Sequence, residues 1–170
     1  MDVLLNLSKG YTAVIDDVDA ERVLQYPWSA HVSKRADGSI KTVYGKRSLR
    51  WPNGKKGTQL LHRFIMGVTD PTVEVDHFDH DGLKNRRSNL RICSKTQNHA
   101  NQFKTHGMVQ YKGVSVAATA GKFLAGIKAG GKRYHLGTFN TGKAAALAYD
   151  AAARRLFGDF ALTNFPIEAS

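Results

Sequence analysis

One stretch near the middle of the chain leaves few folds open to it. Residues 72–77 alternate apolar and polar side chains, which predicts a strand. Residues 78–88 are polar and predict a long loop, and residues 90–93 predict a second short strand. The predicted order is therefore strand, long loop and strand.

A helix is predicted to follow the second strand. Ser94 and Gln97 have the spacing of a capping box, which predicts a helix from about Lys95 to Phe103. Asp76 and His77 then stand at a strand end and Asn98 on the helix, where their side chains can converge.

This set of side chains suits phosphodiester hydrolysis. The carboxylate of Asp76 and the side-chain carbonyl of Asn98 are oxygen ligands for one hard divalent cation. A neutral imidazole at His77 can take the proton from an attacking water. Neighbouring residues on a strand point to opposite faces, so the hypothesis requires a bend at this strand end.

The charge of the chain favours a polyanionic partner. The 25 Lys and Arg residues outnumber the 14 Asp and Glu residues, which gives a formal net charge of +11. Such a balance favours DNA or RNA, and the alternative is a basic protein kept soluble by self-repulsion. Acidic residues dominate residues 1–30, whereas basic residues dominate residues 31–63.

The basic segment is predicted to form a small sheet. Asp37-Gly38 and Asn53-Gly54 are tight-turn signals, and Ile40, Tyr44 and Trp51 around them are spaced as in short strands. The basic face of this sheet either lines a DNA groove or is a solvated edge that resists aggregation.

The last third of the chain predicts three strands and one helix. Residues 104–110 are polar and predict a linker, and strands alternate with glycine-rich turns from Tyr111 onward. Gly130-Gly131 predicts a hairpin, and Thr141 is the expected N-cap of an alanine-rich helix over 143–157.

Several classes of protein are excluded by simple counts. Cys93 is the only cysteine, so an intramolecular disulfide and a zinc site of several thiolates are both ruled out. We expect its thiol to pack in the core. No run of about 18 apolar residues predicts a membrane span, and the start lacks a basic leader with an apolar run. We therefore expect an intracellular protein with no membrane partner.

The central segment resembles the HNH nuclease family, most closely its phage and intron-associated homing branch. The resemblance is carried by Leu61-His62-Arg63, Val75-Asp76-His77, 85–91 (Asn-Arg-Arg-Ser-Asn-Leu-Arg) and 97–101 (Gln-Asn-His-Ala-Asn). It implies a ββα-metal core over residues 61–103.

The same resemblance implies roles for four residues. His77 would be the general base, Asp76 a metal ligand, and Asn89 the asparagine that braces the loop carrying the base. Asn98 replaces the final histidine of many members, which favours Mg²⁺, or Mn²⁺ as the alternative, with one ion per active site.

The other polar residues near this motif keep alternative roles. His62, His80 and His99 are each open to a ligand role or to ordinary hydrogen bonding. Phosphate contacts are expected from Arg63, Arg86, Arg87 and Arg91. Residues 85–87, which include two of these arginines, can equally be a solvated turn.

Residues 111–166 resemble the DNA-binding domain of the plant Apetala2 and ethylene-response factors. The matching motifs are 111–114 (Tyr-Lys-Gly-Val), 136–139 (Leu-Gly-Thr-Phe), 145–152 and 158–166. The resemblance places Lys112, Ser115, Phe123, Lys128, Arg133 and His135 at DNA-contact positions.

Ser115 and His135 replace an arginine and a tryptophan of the plant family, so the plant-type base preference does not transfer. Phosphate contacts survive these changes better and are expected from Lys112, Lys122, Lys128, Lys132 and Arg133. The alternative is a generic small domain with basic edges.

The expected protein is α+β, with a basic N-terminal β-rich DNA-contacting region at 1–60, the nuclease core at 61–103, a linker at 104–110 and the Apetala2-like domain at 111–166. The expected function is site-specific cleavage of double-stranded DNA for a phage or mobile element, in the bacterial cytoplasm if phage-encoded. A monomer that nicks one strand is favoured and a dimer is possible. The alternatives are a non-catalytic DNA-binding regulator on a nuclease scaffold and a restriction or repair nuclease.

Overall fold

A computed structural model describes residues 1–50, 53–102 and 109–166. Small, mostly antiparallel sheets and a few helices confirm the expected α+β class. The chain divides into two compact units, Met1–Cys93 and Ser94–Ser170, so residues 1–60 share a unit with the first part of the predicted nuclease core. Trp51, the predicted helix end at Phe103 and residues 104–108 of the predicted linker lie outside the described residues.

The first sheet of the first unit contains the N-terminus. Strands β1 (Asp2–Asn6) and β2 (Thr12–Asp16) pair antiparallel around a 3-10 turn at Ser8–Gly10. Helix α1 (Asp17–Leu24) follows at once. The sheet gains a parallel third strand, β7 (Lys84–Asn85), from the loop that follows the Asp76-His77 pair.

The basic segment forms the second sheet, as predicted. Strand β3 (Ser29–Lys34) pairs antiparallel with β4 (Ile40–Arg50), which pairs with β5 (Lys56–Leu60). The predicted turn at Gly38 has a φ of 83°, which favours glycine. Helix α2 (Leu61–Ile65) continues directly from β5.

The predicted strand pair is the third sheet. Strands β6 (Glu74–His77) and β8 (Leu90–Cys93) run antiparallel, so that Asp76 lies opposite Arg91 and His77 opposite Leu90. A 3-10 turn at Arg87–Asn89 precedes β8.

The predicted capping box is confirmed at the start of α3 (Lys95–Ala100). The Ser94 hydroxyl accepts from the backbone N–H of Gln97, whose side chain accepts in return from the Ser94 backbone. Helix α3 ends at Ala100, earlier than the predicted Phe103, and it belongs to the second unit.

The core of the first unit joins its three sheets and two helices. Ile15 of β2, Val23 of α1, Leu61 and Ile65 of α2, and Leu90 of β8 are among its buried side chains. Packing of this kind makes the strand pair and the N-terminal elements one folding unit.

One carboxylate is buried beside this core. Asp19 is 1% exposed and accepts hydrogen bonds from Arg22 at 2.8 Å and from Arg87 Nε and Nη2, each at 2.8 Å. Both guanidinium groups also donate to the backbone carbonyl of Ile65. The charges are thus paired, which a buried carboxylate requires.

The second unit has the predicted sheet and helix. Strands β9 (Val114–Val116), β10 (Phe123–Ala129) and β11 (Lys132–Phe139) pair antiparallel in the order β11-β10-β9. Helix α4 (Gly142–Phe157) packs on the sheet and is followed by a 3-10 turn at Gly158–Phe160. The Thr141 hydroxyl accepts from the N–H of Ala144, which confirms the predicted N-cap.

Small side chains allow this helix to lie close to the sheet. Ala145, Ala146 and Ala153 are fully buried against the strands and their neighbours. None of the helices in the described ranges is long and apolar enough to cross a membrane.

Candidate functional site

The Asp76-His77 pair is buried at the end of β6, where both side chains are less than a tenth exposed. Across the strand pair, Arg91 donates from Nη2 and Nε to Asp76 Oδ2, at 2.9 and 3.1 Å. This ion pair is itself mostly buried, which makes it a much stronger constraint on the carboxylate than a surface pair would be.

The His77 imidazole has a hydrogen-bond partner that the sequence did not identify. Its Nε2 lies 3.2 Å from Oδ1 of Asn85, a fully buried residue of β7. The Asn85 amide donates from Nδ2 to the carbonyl of Gly82 at 3.3 Å, which turns Oδ1 toward the ring. The ring must therefore donate through Nε2–H, so its lone pair is at Nδ1.

Burial keeps this imidazole uncharged. Burial lowers the pKa of His77, while the hydrogen bond to Asn85 and the carboxylates of Asp76, Asp79 and Asp81 oppose the shift. The direction leaves a neutral ring at neutral pH, as a general base requires.

The side chain of Asn89 ties together the two ends of the loop that follows His77. Its Oδ1 accepts from the backbone N–H of Asp79 at 3.1 Å, and its Nδ2 donates to Asp79 Oδ1 at 2.9 Å and to the Lys84 carbonyl at 2.8 Å. Its own carbonyl accepts from the N–H of Phe78 at 2.8 Å. These are the contacts of a residue that braces the loop carrying His77.

The loop also carries two carboxylates that face Lys84. Partial burial opposes ionisation of Asp79, but bonds from the Asp81 backbone, Asn89 and Lys84 hold the pKa of Asp79 below its usual range. Lys84 Nζ lies 3.1 Å from Asp79 and 3.6 Å from Asp81. One ammonium group is thus shared by the two carboxylates of the loop.

Like Arg91, the other three arginines expected to contact phosphate bind groups of the protein itself. Arg63 donates to the carbonyls of Val73 and Asp70, and Arg86 forms an ion pair with Asp2. Arg87 is held by Asp19 and, through its backbone N–H, by Asp16. The acidic N-terminal segment therefore serves to fix the 84–89 segment, a role its composition did not indicate.

The remaining histidines near the site differ in environment. His62 of α2 is 6% exposed and packs its ring against His77, whereas His99 is exposed on α3 of the other unit. His80 has a positive φ of 65° and donates its backbone N–H to the His77 carbonyl. Cys93 is buried, as expected, and burial raises the pKa of its thiol to about 11.

The two predicted metal ligands lie in separate units. Asp76 is a buried residue of β6 in the first unit, and Asn98 is a partly exposed residue of α3 in the second. Carboxylate and amide oxygens are the donor types that hard divalent cations prefer. Among the described residues, no cluster of three or more His, Cys, Asp or Glu residues could hold a metal ion.

One face of the C-terminal sheet carries four of the eight DNA contacts predicted for the second unit. Ala125 and Ile127 of β10 are buried with α4, so the alternate residues of β10 lie on the opposite face. On that face Lys128 pairs with Arg133, Gly126 with His135, and Leu124 with Ser115. The side chains of Ser115, Lys128, Arg133 and His135 are exposed, as is Lys132 beside the hairpin.

Three other predicted contacts of this unit are engaged internally. Lys112 Nζ donates to the Ala100 carbonyl; burial lowers the pKa of Lys112 to about 8, against the opposing charge of Asp150. Lys122 donates to the side chain of Asn140, and Phe123 is half-buried against the core under α4. Lys112 and Phe123 thus serve the fold of this unit.

Comparison with known proteins gives relatives for both halves of the chain. A protein of Acanthamoeba polyphaga mimivirus, named as an uncharacterised HNH endonuclease, is 30% identical over 128 residues, which cover 68% of this chain. The dehydration-responsive element-binding protein 2D of Arabidopsis thaliana is 52% identical over 58 residues, or 33% of this chain. An ethylene-responsive transcription factor of the same plant is 34% identical over 122 residues, or 68% of this chain. No protein-family model matches the chain.

The matches differ in how much of each relative they cover. The chain spans 66% of the viral protein, 28% of the dehydration-responsive protein and 68% of the ethylene-responsive factor. The viral match agrees with the HNH motif of the first unit, and the plant matches agree with the sheet and helix of the second. The chain therefore belongs to the HNH endonuclease family and carries an AP2/ERF-type domain in its C-terminal third.

Proposed function

We propose that this protein is a metal-dependent endonuclease that hydrolyses phosphodiester bonds in double-stranded DNA. The observation that carries the proposal is the His77 imidazole, which is buried, held through Nε2 by Asn85 and near enough to Asp76 for that carboxylate to raise its pKa against the effect of burial. A neutral histidine oriented by a second group is what water activation by a general base requires.

The proposed base is the Nδ1 atom of His77. Because Nε2–H donates to Asn85, Nδ1 accepts a proton from the water that attacks the phosphorus. Asn89 acts indirectly by holding the loop between Asp79 and Lys84, so that the ring and the loop backbone keep one geometry. Arg91 fixes the orientation of Asp76 in the same way.

The proposed metal ligands are Asp76 and Asn98, and the proposed ion is one Mg²⁺, with Mn²⁺ as the alternative. Such an ion would neutralise charge on the phosphoryl oxygens and stabilise the leaving 3′ oxygen. The hard oxygen donors of the two side chains support this choice over a metal that prefers nitrogen or sulfur.

Two sheet faces are proposed to hold the duplex. In the second unit the face with Ser115, Lys128, Arg133 and His135 takes this role, with Lys132 beside it. In the first unit the corresponding face is that of β4 and β5. Lys46 and Arg50 lie on the same side of β4 as Tyr44, and Lys56 of β5 pairs with Arg50. Tyr44 contacts the proposed base. Lysine and arginine on such faces bind phosphates without regard to sequence, and base-edge contacts add specificity.

We propose a homing-type role in a phage or another mobile element, and the presence of two candidate DNA-holding surfaces on one chain supports it. Two DNA-holding surfaces on one chain lengthen the contacted site, and a longer site raises specificity through summed contacts. With one candidate active site per chain, a monomer cuts one strand, whereas a dimer would cut two.

The competing function is a non-catalytic DNA-binding regulator, and one assay separates the two. Supercoiled plasmid incubated with the protein and Mg²⁺ or Mn²⁺ is expected to relax or linearise, and a chelator is expected to stop the reaction. Retarded mobility on a gel with no strand break under any metal would instead support the regulator.

A further inference from the structure

Two aromatic rings from outside the strand pair lie against the proposed general base. The His62 ring of α2 is 4.9 Å from the His77 ring between centroids, at an interplanar angle of 79°. The Tyr44 ring of β4 is 5.8 Å from His77 and 5.5 Å from His62. All three residues belong to the first unit, and together they form a ring cluster of Tyr44, His62 and His77.

The hydrogen bond to Asn85 does not fix the imidazole by itself. A single bond at Nε2 leaves the ring able to pivot about that bond, and the terminal torsion of a histidine has a broad energy well. Rings packed at edge-to-face and tilted angles on two further sides restrict that pivot, because interiors are packed tightly enough that neighbours must move with it.

His62 is suited to this role because it adds no charge beside the base. The side chain is 6% exposed, and burial together with the nearby His77 and Arg63 lowers the pKa of His62 to about 3. Its Nδ1 is buried without a hydrogen-bond partner, so no polar contact through that atom accounts for the ring's position. The ring contacts of His62 are those with His77 and Tyr44.

Tyr44 is held against the same loop that carries Asn85. A Cβ atom added at Gly82 would collide with the carbonyl oxygen of Val43 and with the ring of Tyr44. Strand β4 therefore passes directly against the loop, and only glycine allows this approach. The Gly82 carbonyl is also the acceptor that orients the Asn85 amide, so Tyr44 and Asn85 converge on one short segment.

We propose that His62 and Tyr44 are positioning residues that hold the His77 imidazole with Nδ1 directed at the attacking water. They act through their contacts with the His77 ring. The inference rests on the proposed endonuclease function, in which His77 is the base.

The test combines a spectroscopic and a kinetic measurement on the full-length protein. Long-range ¹⁵N–¹H correlation spectra of the histidine rings are recorded without metal, and cleavage of a labelled duplex is followed at saturating enzyme. The variants are His62→Ala, which removes the ring, and His62→Phe, which keeps a ring. Tyr44→Leu provides a second variant at a half-buried position, in case His62→Ala does not fold.

In the wild type we expect a single His77 tautomer protonated at Nε2. His62→Ala and Tyr44→Leu should give mixed tautomers and cleavage at least about tenfold slower, with the dissociation constant for DNA changed less than about twofold. His62→Phe should restore the single tautomer and a rate within about threefold of the wild type.

An unchanged single His77 tautomer in folded His62→Ala and Tyr44→Leu would overturn the inference, whatever their cleavage rates. The spectra decide the matter even for a protein that never cuts DNA, because they are recorded without metal or substrate. If the wild type has a single tautomer but does not cleave DNA, and the variants lose that tautomer, the positioning role is retained and the endonuclease function is rejected.

Discussion

Arg91 and Asp76 face each other across the β6–β8 strand pair, and both hydrogen bonds from the guanidinium group end on one carboxylate oxygen, Oδ2. The side chains of this pair are only 17% and 10% exposed. A carboxylate held in this way has a fixed orientation, which a ligand of a hard cation needs.

We predict that Arg91→Lys slows cleavage about tenfold and raises the Mg²⁺ concentration needed for half-maximal rate. Lysine keeps the positive charge but cannot give the two-pronged contact, and outer contacts of this type govern metal affinity. Metal titrations of the cleavage rate measure both effects. A half-maximal Mg²⁺ concentration equal to that of the wild type would argue against Asp76 as a ligand.

The second prediction concerns the acceptor of the His77 ring. Asn85→Ala should lower the single-turnover cleavage rate about 100-fold, because the imidazole loses the group that fixes its tautomer. DNA affinity should stay near the wild-type value, since Asn85 is fully buried. Rates and affinities measured on the same preparation separate these effects, and a rate within twofold of the wild type would remove Asn85 from the mechanism.

The third prediction concerns stability in acid. The ordinary pKa of histidine is about 6.5, and this value applies to His62 in the unfolded chain, whereas burial lowers the pKa of His62 to about 3 in the folded protein. Between these two values the unfolded state binds a proton that the folded state does not. The free energy of unfolding should therefore fall as pH decreases, by up to about 1.4 kcal/mol per pH unit from this residue.

His62→Phe removes that titration and should make the fall between pH 6.5 and pH 4 less steep. Urea unfolding at several pH values measures the slope in both proteins. Parallel slopes for the variant and the wild type would mean that His62 is protonated in the folded state.

The fourth prediction separates the contact face of the second unit from its helix. Lys128→Ala and Arg133→Ala should each weaken DNA binding and reduce the slope of log affinity against log salt by about one. Lys143→Ala makes the same charge change on α4, away from that face, and should leave the slope nearly unchanged.

Lys112 should behave differently both from Lys128 and Arg133 on the contact face and from Lys143 on α4. Because its ammonium group is half-buried and bound to the Ala100 carbonyl, Lys112→Met should change the thermal stability of the second unit more than the salt slope. Fluorescence titrations of DNA binding at several salt concentrations measure the salt slope for all four variants. A salt slope lowered equally by Lys112→Met and Lys128→Ala would show that Lys112 binds phosphate.

Local signals in the sequence were enough to predict the local structure. The Ser94 capping box, the strand at residues 90–93 and the Gly130-Gly131 hairpin are each encoded by residues within a few positions of one another. The helix of the second unit was also predictable, because Thr141 caps it and its alanines match the sheet.

Partners distant in sequence were not predictable in the same way. Asp19 binds Arg87 across 68 positions, and β2 gains its third strand from residues 84–85. No local pattern encodes such pairings, so the acidic N-terminal segment gave no sign that it fixes the loop beside His77. The Asn85 contact was missed for a related reason, since its role depends on how the loop folds back.

Cleavage by His77→Ala tests the central claim most directly. A labelled duplex containing the mapped cleavage site is incubated with excess protein and Mg²⁺, and strand breaks are counted over time. The account predicts a rate at least about 100-fold below the wild type in a variant that still folds and binds DNA. Cleavage by the folded variant at the wild-type rate would contradict it.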